Sequence, residues 1–275
     1  MNHNPLGRQT DYVSVYAPYL LFPIPRAESR AVLGIGDTLP FYGVDIWTGY
    51  ELSWLDTSGK PVVAVAEFFI PCESEFIVES KSFKLYLNSL NQTRFDSVVE
   101  VEALIEKDLT RITGTDVQVN VILLTASVRA AQHLAKITEI DGELLDDLIV
   151  TVDTYHPAPE LLTTEMRIVD ECLVSHLLKT NCPVTGQPDW ASIVIRYKGN
   201  KIQRENLLRY IISFREHQDF HEHCVERIFS DIARVCKPEE LVVYARYTRR
   251  GGLDINPFRS SNPNTKPELL RLIRQ

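Results

Sequence analysis

The chain has 275 residues, 44% hydrophobic and 24% charged, the make-up of a soluble globular protein with one large domain or two of ordinary size. Its net charge is −8, from 29 basic and 37 acidic side chains, which disfavours tight non-specific binding to nucleic acid because that depends on cationic neutralisation of phosphates. No apolar run approaches the roughly 20 residues of a membrane span, and the opening Met1-Asn-His-Asn-Pro5 lacks the apolar core of a leader. The five cysteines include no CxxC pair, which argues against a disulfide framework and a structural zinc site. A reducing cytoplasm is the expected compartment.

Residues 1–45 mix Pro, Gly and Arg with short apolar pieces and read as an irregular arm. Gly34-Ile-Gly36 is not a dinucleotide fingerprint, since Leu39 stands where a third glycine is required and no strand-turn-helix unit surrounds it. Strands are predicted over 50–55 and 61–70, around the Asp56-Thr-Ser-Gly59 turn. Phe83, Tyr86, Leu87 and Leu90 then recur at helical spacing, with Ser80 or Ser82 as the expected cap. A second helix is expected over 98–109, and strands over 117–124 and 148–152.

Tyr155-His-Pro-Ala-Pro159 reads as a linker. Residues 167–178 fit neither period cleanly. Strands are predicted at 191–197 and 241–247, with helices at 207–214 and 220–235 between them. Ser89-Leu90 before Phe95 is echoed by Ser213-Phe214 before Phe220, and the order of elements repeats. The chain is therefore read as a tandem α/β protein: an arm over 1–45, a first module over 46–154 and a second over 160–275.

Four stretches carry candidate chemistry. His176 to Trp190 holds a thiol, Cys182, and a carboxylate, Asp189, in a segment with Pro183, Gly186 and Pro188, and reads as a rigid loop. A thiolate beside an acid suits attack on an unsaturated carbon, although spacing alone favours a small buried Cys beside a turn. Glu79-Ser-Lys-Ser-Phe-Lys84 starts a helix, where free amides and lysines make either an anion site or an ordinary cap.

Asp219-Phe-His-Glu222 fits a capping box, with Asp219 as cap, while His221 and Glu222 also offer a donor and an acceptor to the polar edge of a purine-like ring. His217 and His223 are expected to face solvent rather than hold a metal. Arg249-Arg-Gly-Gly-Leu-Asp254 could grip a phosphate or simply be a polar turn. Arg246, Arg249, Arg250 and Arg259 together suggest a local anion patch or a solvated surface.

Taken together, Glu79-Ser-Lys-Ser-Phe-Lys-Leu-Tyr86, Asn181-Cys-Pro183 with Asp189, Phe220-His-Glu222 and Tyr247-Thr-Arg-Arg-Gly-Gly-Leu-Asp-Ile-Asn256 resemble the long, two-module NADPH-dependent 7-cyano-7-deazaguanine reductases, the nitrile reductases of queuosine biosynthesis. The resemblance runs from about Asp45 to the C-terminus, with four motifs in order and no departure at their positions. It implies an α+β tunnelling fold in each module, antiparallel sheets backed by helices, with a barrel closed by oligomerisation and a homodimer as the expected assembly.

It also implies the reaction, a four-electron reduction of a cyano to an aminomethyl group using two NADPH. Cys182 would form a covalent thioimidate and Asp189 would act as general acid. His221 and Glu222 would bind the deazaguanine ring, helped by Val78, Glu79 and Ser80. Ser80, Lys81, Arg250 and Gly251 would contact NADPH, and no metal is implied. Neither direct nucleic-acid binding nor a membrane is expected. Two other classes compete: a thiol-dependent hydrolase or cyclohydrolase-like enzyme of the same fold, and a non-catalytic purine-binding module.

Overall fold

The computed structural model describes residues 12–124 and 132–275; the opening Met1–Pro5 stretch inspected for a leader lies outside them. In chain order the elements are β1 (Pro23–Pro25), α1 (Arg26–Val32), β2 (Tyr42–Leu55), β3 (Pro61–Pro71), β4 (Phe76–Val78), α2 (Ser80–Ser89), α3 (Val98–Thr113), β5 (Gln118–Leu123), α4 (Gln132–Ala135), β6 (Glu143–Leu144), β7 (Thr164–Asn181), β8 (Pro188–Ile202), α5 (Arg204–Ser213), α6 (His221–Cys236), β9 (Glu240–Tyr247) and β10 (Leu253–Ser260). No helix of the described residues is long and apolar enough to cross a membrane.

The chain divides into two compact units. The first takes the described residues up to Glu28, then Asp45–Lys136 and Arg249–Ile255. Its strands run in the order β5-β3-β2, with β3 and β5 antiparallel from Ala64↔Leu123 to Phe69↔Gln118. Trp47, Leu52, Trp54, Ala66 and Phe68 project from the sheet onto Phe83, Tyr86, Leu87 and Leu90 of α2 and Val101, Ile105 and Leu109 of α3. Each large side chain so buried contributes about 1.5–3 kcal/mol. Within the predicted irregular arm the described residues include regular structure: β1 pairs antiparallel with β4, and Arg26 is buried on Asp45 at 2.5 Å.

The second unit takes Ser29–Val44, Ile137–Thr248 and Asn256–Gln275. Its strand order is β10-β9-β8-β7-β6, antiparallel except for the short parallel β6–β7 pair. Helix α5 packs on β7 and α6 on β9. The apolar face of α6, Val225, Ile228, Phe229 and Ile232, is fully buried. A predominantly antiparallel sheet backed by helices is thus present in each unit.

Two expectations are corrected and one ambiguous run is resolved. The strand predicted over 148–152 does not form: Ile149 is 98% exposed, and the run has no partner strand. Residues 167–178, which fitted neither period, lie in the long strand β7. Register shifts between Glu165/Ile168 and Ser175/Leu178 break its alternation, which is why a strict two-residue period fails there. The predicted loop from His176 to Trp190 is mostly strand, because β7 runs to Asn181 and β8 begins at Pro188. Only residues 182–187 turn.

Candidate functional site

The second unit gathers Cys182, Asp189, His221 and Glu222. Thr180 pairs with Asp189 and Leu178 with Ala191 across β7–β8, and Ala191 pairs with Tyr247 across β8–β9. Side chains of antiparallel partners, and of residues two apart, share a face. Thr180, Asp189, Ala191 and Tyr247 therefore face one way, and Cys182 follows them at the mouth of the turn.

That turn is closed by Cys182 N–H donating to the Gln187 carbonyl at 2.8 Å and Gly186 N–H donating to the Cys182 carbonyl at 3.0 Å. Gly186 sits at φ +67°, a conformation that glycine adopts without a Cβ clash. Asn181 fixes the turn to the start of α6. Its N–H donates to the His217 carbonyl at 2.8 Å, and its own carbonyl accepts from Asp219 N–H at 3.1 Å.

The capping box predicted at 219–222 is not built. The N-cap of α6 is Phe220, without a side-chain cap, and the Asp219 N–H that a box would offer to Glu222 goes to Asn181. The Asp219 carboxylate instead accepts from Phe220 N–H at 2.8 Å, lies 3.1 Å from His223 Nδ1 and is 3.6 Å from His217 Nε2. Burial pushes its pKa up, but the histidine contacts and the Phe220 amide outweigh this and hold it well below the usual carboxylate range. His223 is buried, not solvated as expected.

Released from capping, His221 and Glu222 turn inward, 8% and 2% exposed. The His221 Nε2 lies 3.3 Å from Asp189 Oδ2. Its ring lies flat on Tyr247, with centroids 3.8 Å apart and planes 11° apart. Burial, then Cys224, pushes the Tyr247 phenol well above its ordinary value; Thr180 opposes the shift, and Asp189 and Glu222 add to it. Burial likewise pushes the Cys224 thiol well up, so it stays protonated. Sequence reasoning gave Tyr247 and Thr180 no role. The alternation of β9, which turns Val243, Ala245 and Tyr247 to one side, was the signal for Tyr247.

The first unit gathers Val78, Glu79, Ser80, Lys81, Arg250 and Gly251. Glu79, not Ser80 or Ser82, is the N-cap of α2: its carboxylate accepts from Lys81 N–H at 2.8 Å and Ser82 N–H at 2.7 Å. Of the two readings of this helix start, anion site or ordinary cap, these amides follow the cap, made by the chain's own carboxylate. Burial raises the Glu79 pKa, against the lowering effects of the two amides and then of Lys81 and Arg250.

Arg250 and Leu253 bond to each other across Gly251 (φ +64°) and Gly252 (φ +80°), the double left-handed pair of a tight type I′ turn. A Cβ on Gly251 would meet Lys84 Nζ at 3.2 Å, and one on Gly252 would meet the Glu51 carboxyl at 2.4 Å. The turn thus brings Gly251 against Lys84, and Arg250 near enough to act on Glu79. Arg249 stacks over Tyr50 at 4.3 Å. Lys81, Arg249 and Arg250 are thus the cations that could meet a phosphate-bearing group through side chains rather than through the α2 amides, while Lys84 is 3.6 Å from the Glu51 carboxylate.

The predicted four-arginine patch does not exist as such. Arg259 is fully buried on Glu226, and Arg246 is buried on Gln275 and Tyr244. Among the described residues no group of three or more His, Cys, Asp or Glu side chains is arranged to hold a metal.

Comparison with known proteins gives two family matches. The model "Nitrile reductase, 7-cyano-7-deazaguanine-reductase N-term" matches residues 12–121, and the model "QueF-like protein" matches residues 188–266. Among curated relatives, the NADPH-dependent 7-cyano-7-deazaguanine reductase of Dechloromonas aromatica is 57% identical over 99% of this chain and 95% of its own length. Those of Bordetella avium and Cupriavidus necator are 56% and 54% identical, each over 98% or more of both chains. The hydrolase and cyclohydrolase-like readings find no support in these matches.

Proposed function

Since the chain belongs to the NADPH-dependent 7-cyano-7-deazaguanine reductases, the nitrile reductases of queuosine biosynthesis, we propose that Cys182, Asp189, His221 and Glu222 carry the reduction of the cyano group to an aminomethyl group. The observation that carries this assignment is the shared face of Thr180, Asp189 and Tyr247 leading to Cys182, with His221 3.3 Å from Asp189.

A nitrile is a weak electrophile, so a thiolate is needed to attack its carbon. Cys182 sulfur forms the new bond to carbon, one bond of the triple bond breaks, and the nitrogen gains a proton, giving a thioimidate. One proton leaves sulfur and one arrives on nitrogen; Asp189, as general acid, delivers the latter where charge develops. Two NADPH molecules, bound in turn, would each supply one hydride; after the first the C–S bond would break, returning the Cys182 thiolate and leaving an imine, kept from water in the site, for the second to reduce as nitrogen takes up a further proton. His221 and Glu222 present a donor and an acceptor to the ring, with Val78, Glu79 and Ser80 assisting. Ser80, Lys81, Arg250 and Gly251 hold the cofactor, and the cationic pair accounts for preference for the phosphate that separates NADPH from NADH.

The test is adduct formation. Mixed with 7-cyano-7-deazaguanine and no NADPH, the protein should gain one substrate mass on the peptide carrying Cys182. Asp189→Ala should slow that gain. A fully mass-shifted Cys182→Ala protein would overturn the assignment.

We read each module as a tunnelling fold, the modules as bounded at 46–154 and 160–275 behind an arm over 1–45, and the working form as a cytoplasmic homodimer without direct nucleic-acid contact. Exposed apolar side chains in the second unit support association: Ile149, Met166 and Ile168 are 98%, 102% and 62% exposed. A fully active monomer in sedimentation would count against the dimer.

A further inference from the structure

Gln275 is only 5% exposed, and both polar ends of its side chain are engaged. Its Oε1 accepts from Arg246 Nε at 3.0 Å and from Leu272 N–H at 3.3 Å. Its Nε2 donates to the Tyr247 carbonyl at 3.0 Å and to Asn256 Oδ1 at 2.8 Å. That same Asn256 oxygen accepts the Tyr247 N–H at 3.2 Å. Both backbone polar groups of Tyr247 are therefore held by one linked pair of amides.

Tyr247 is the last residue of β9 and lies three residues past Tyr244, which pairs with Phe258 of β10, so on that edge side-chain amides do what strand pairing does elsewhere. Its ring is the floor on which His221 lies. With planes 11° apart and centroids at 3.8 Å, the imidazole cannot tilt unless the phenol ring moves.

We propose that Gln275 is a positioning residue for the reaction: through Tyr247 it sets the plane of His221, and with it the edge offered to the deazaguanine ring and the approach of Nε2 to Asp189. The proposal rests on the assignment of His221 to the base made above. Only a side chain that both accepts and donates serves this position, because one end meets N–H groups and the other meets two oxygens. A glutamate would keep the Arg246 contact but set a carboxylate oxygen against the Tyr247 carbonyl and Asn256 Oδ1. Tyr247 and Asn256 are fully buried, so no water replaces the missing donor.

Direct binding of 7-cyano-7-deazaguanine, measured by calorimetry without NADPH, tests this in wild type, Gln275→Glu and Gln275→Met, the last filling similar space without polar atoms. Both variants should bind the base about tenfold more weakly, while KM for NADPH stays at the wild-type value. A Tyr247→Leu and Gln275→Met double variant should bind no more weakly than Tyr247→Leu alone, since the glutamine acts only through the tyrosine. Unchanged base affinity in both glutamine variants overturns the proposal. So does a loss shared equally by NADPH, or full additivity with Tyr247→Leu, either of which marks a general structural role. Unchanged base affinity in His221→Ala would sink the assignment on which this rests, whereas a loss there with none in the glutamine variants overturns the role of Gln275 alone.

Discussion

The turn that follows β2 and the turn that follows β7 are hung on the same backbone bonds. In the first unit Asp56 N–H donates to the Lys60 carbonyl and Gly59 N–H donates to the Asp56 carbonyl, each at 2.9 Å; in the second, Cys182, Gln187 and Gly186 repeat the pattern at 2.8 and 3.0 Å. Leu55 is bracketed by Thr93 and Phe95 as Asn181 is by His217 and Asp219. Behind each turn the scaffold matches again. Tyr86 donates to Asp108 and Tyr210 to Asp231, both at 2.8 Å, and Ser89 and Ser213 donate to those tyrosines' carbonyls at 2.6 Å.

Against this common frame the side chains diverge where it matters. Cys182 stands at the position of Asp56, whose exposed carboxylate only ties its own turn through Ser58 and Lys60. The following helices differ in the same sense. In the first unit Ser97 caps α3 and Glu100 reaches back to Asp96 N–H at 2.9 Å, so a reciprocal cap is built. In the second unit that cap is forgone, and His221 and Glu222 occupy the first turn as buried polar groups. With the roles proposed above, one frame serves stability in one module and chemistry in the other.

The sharpest way to break the comparison is at the matched turn positions. Cys182→Ala should reduce nothing and form no adduct, yet still bind the base. Asp56→Ala should leave adduct and turnover intact and lower only the melting temperature, slightly. Mass spectrometry with a steady-state assay checks both.

Next come the helix starts. Glu222→Gln should weaken base binding by roughly ten- to a hundredfold, as expected for a lost charge-assisted bond, with near-native melting. Ser97→Ala should do the reverse, costing about 1 kcal/mol of stability with affinity unchanged. Paired calorimetry and denaturant titrations distinguish the two; equal stability losses would mean that Glu222 is structural.

Arg250→Ala should raise KM for NADPH about tenfold and leave the weaker use of NADH almost untouched. Equal losses for the two cofactors would assign Arg250 to the turn alone.

The smallest expected effect is acid sensitivity. The Asp219 pKa is depressed on folding, so its contribution to stability is complete above about pH 4, the unfolded value, and is lost as pH falls through the lower folded value. Asp219→Asn should flatten that part of the stability–pH curve in urea titrations below about pH 4. Its counterpart Phe95 carries no titratable group.

Much of this frame was legible in the residues. Apolar periodicity located α2, α3, α5 and α6, and β-rich runs located β3, β8 and β9, because packing on one face is written into spacing. Residues 167–178 were not legible, since two bulges reset the alternation of β7. The Asp219 box was misread because capping chemistry is a local rule, and here the Asn181 carbonyl, 38 positions away in sequence, takes the amide that the box needs. Tyr247 was quoted within a motif but given no role, since stacking on His221 is a long-range fact. The four motifs carried the family, and they did so by matching known members rather than by physics that a single chain displays.

The repeated turn also bears on how the two halves can change over generations. At Asp56–Lys60 any substitution that still closes the two backbone bonds keeps the hairpin, so that stretch can drift. On the roles proposed above, at Cys182–Gln187 the same bonds must be closed while sulfur, proton donor and ring floor stay in register, so tolerated variation should contract to a few positions such as Val184 and Thr185. A saturation library over both turns, selected for turnover, would therefore yield two very different profiles from one shared backbone geometry.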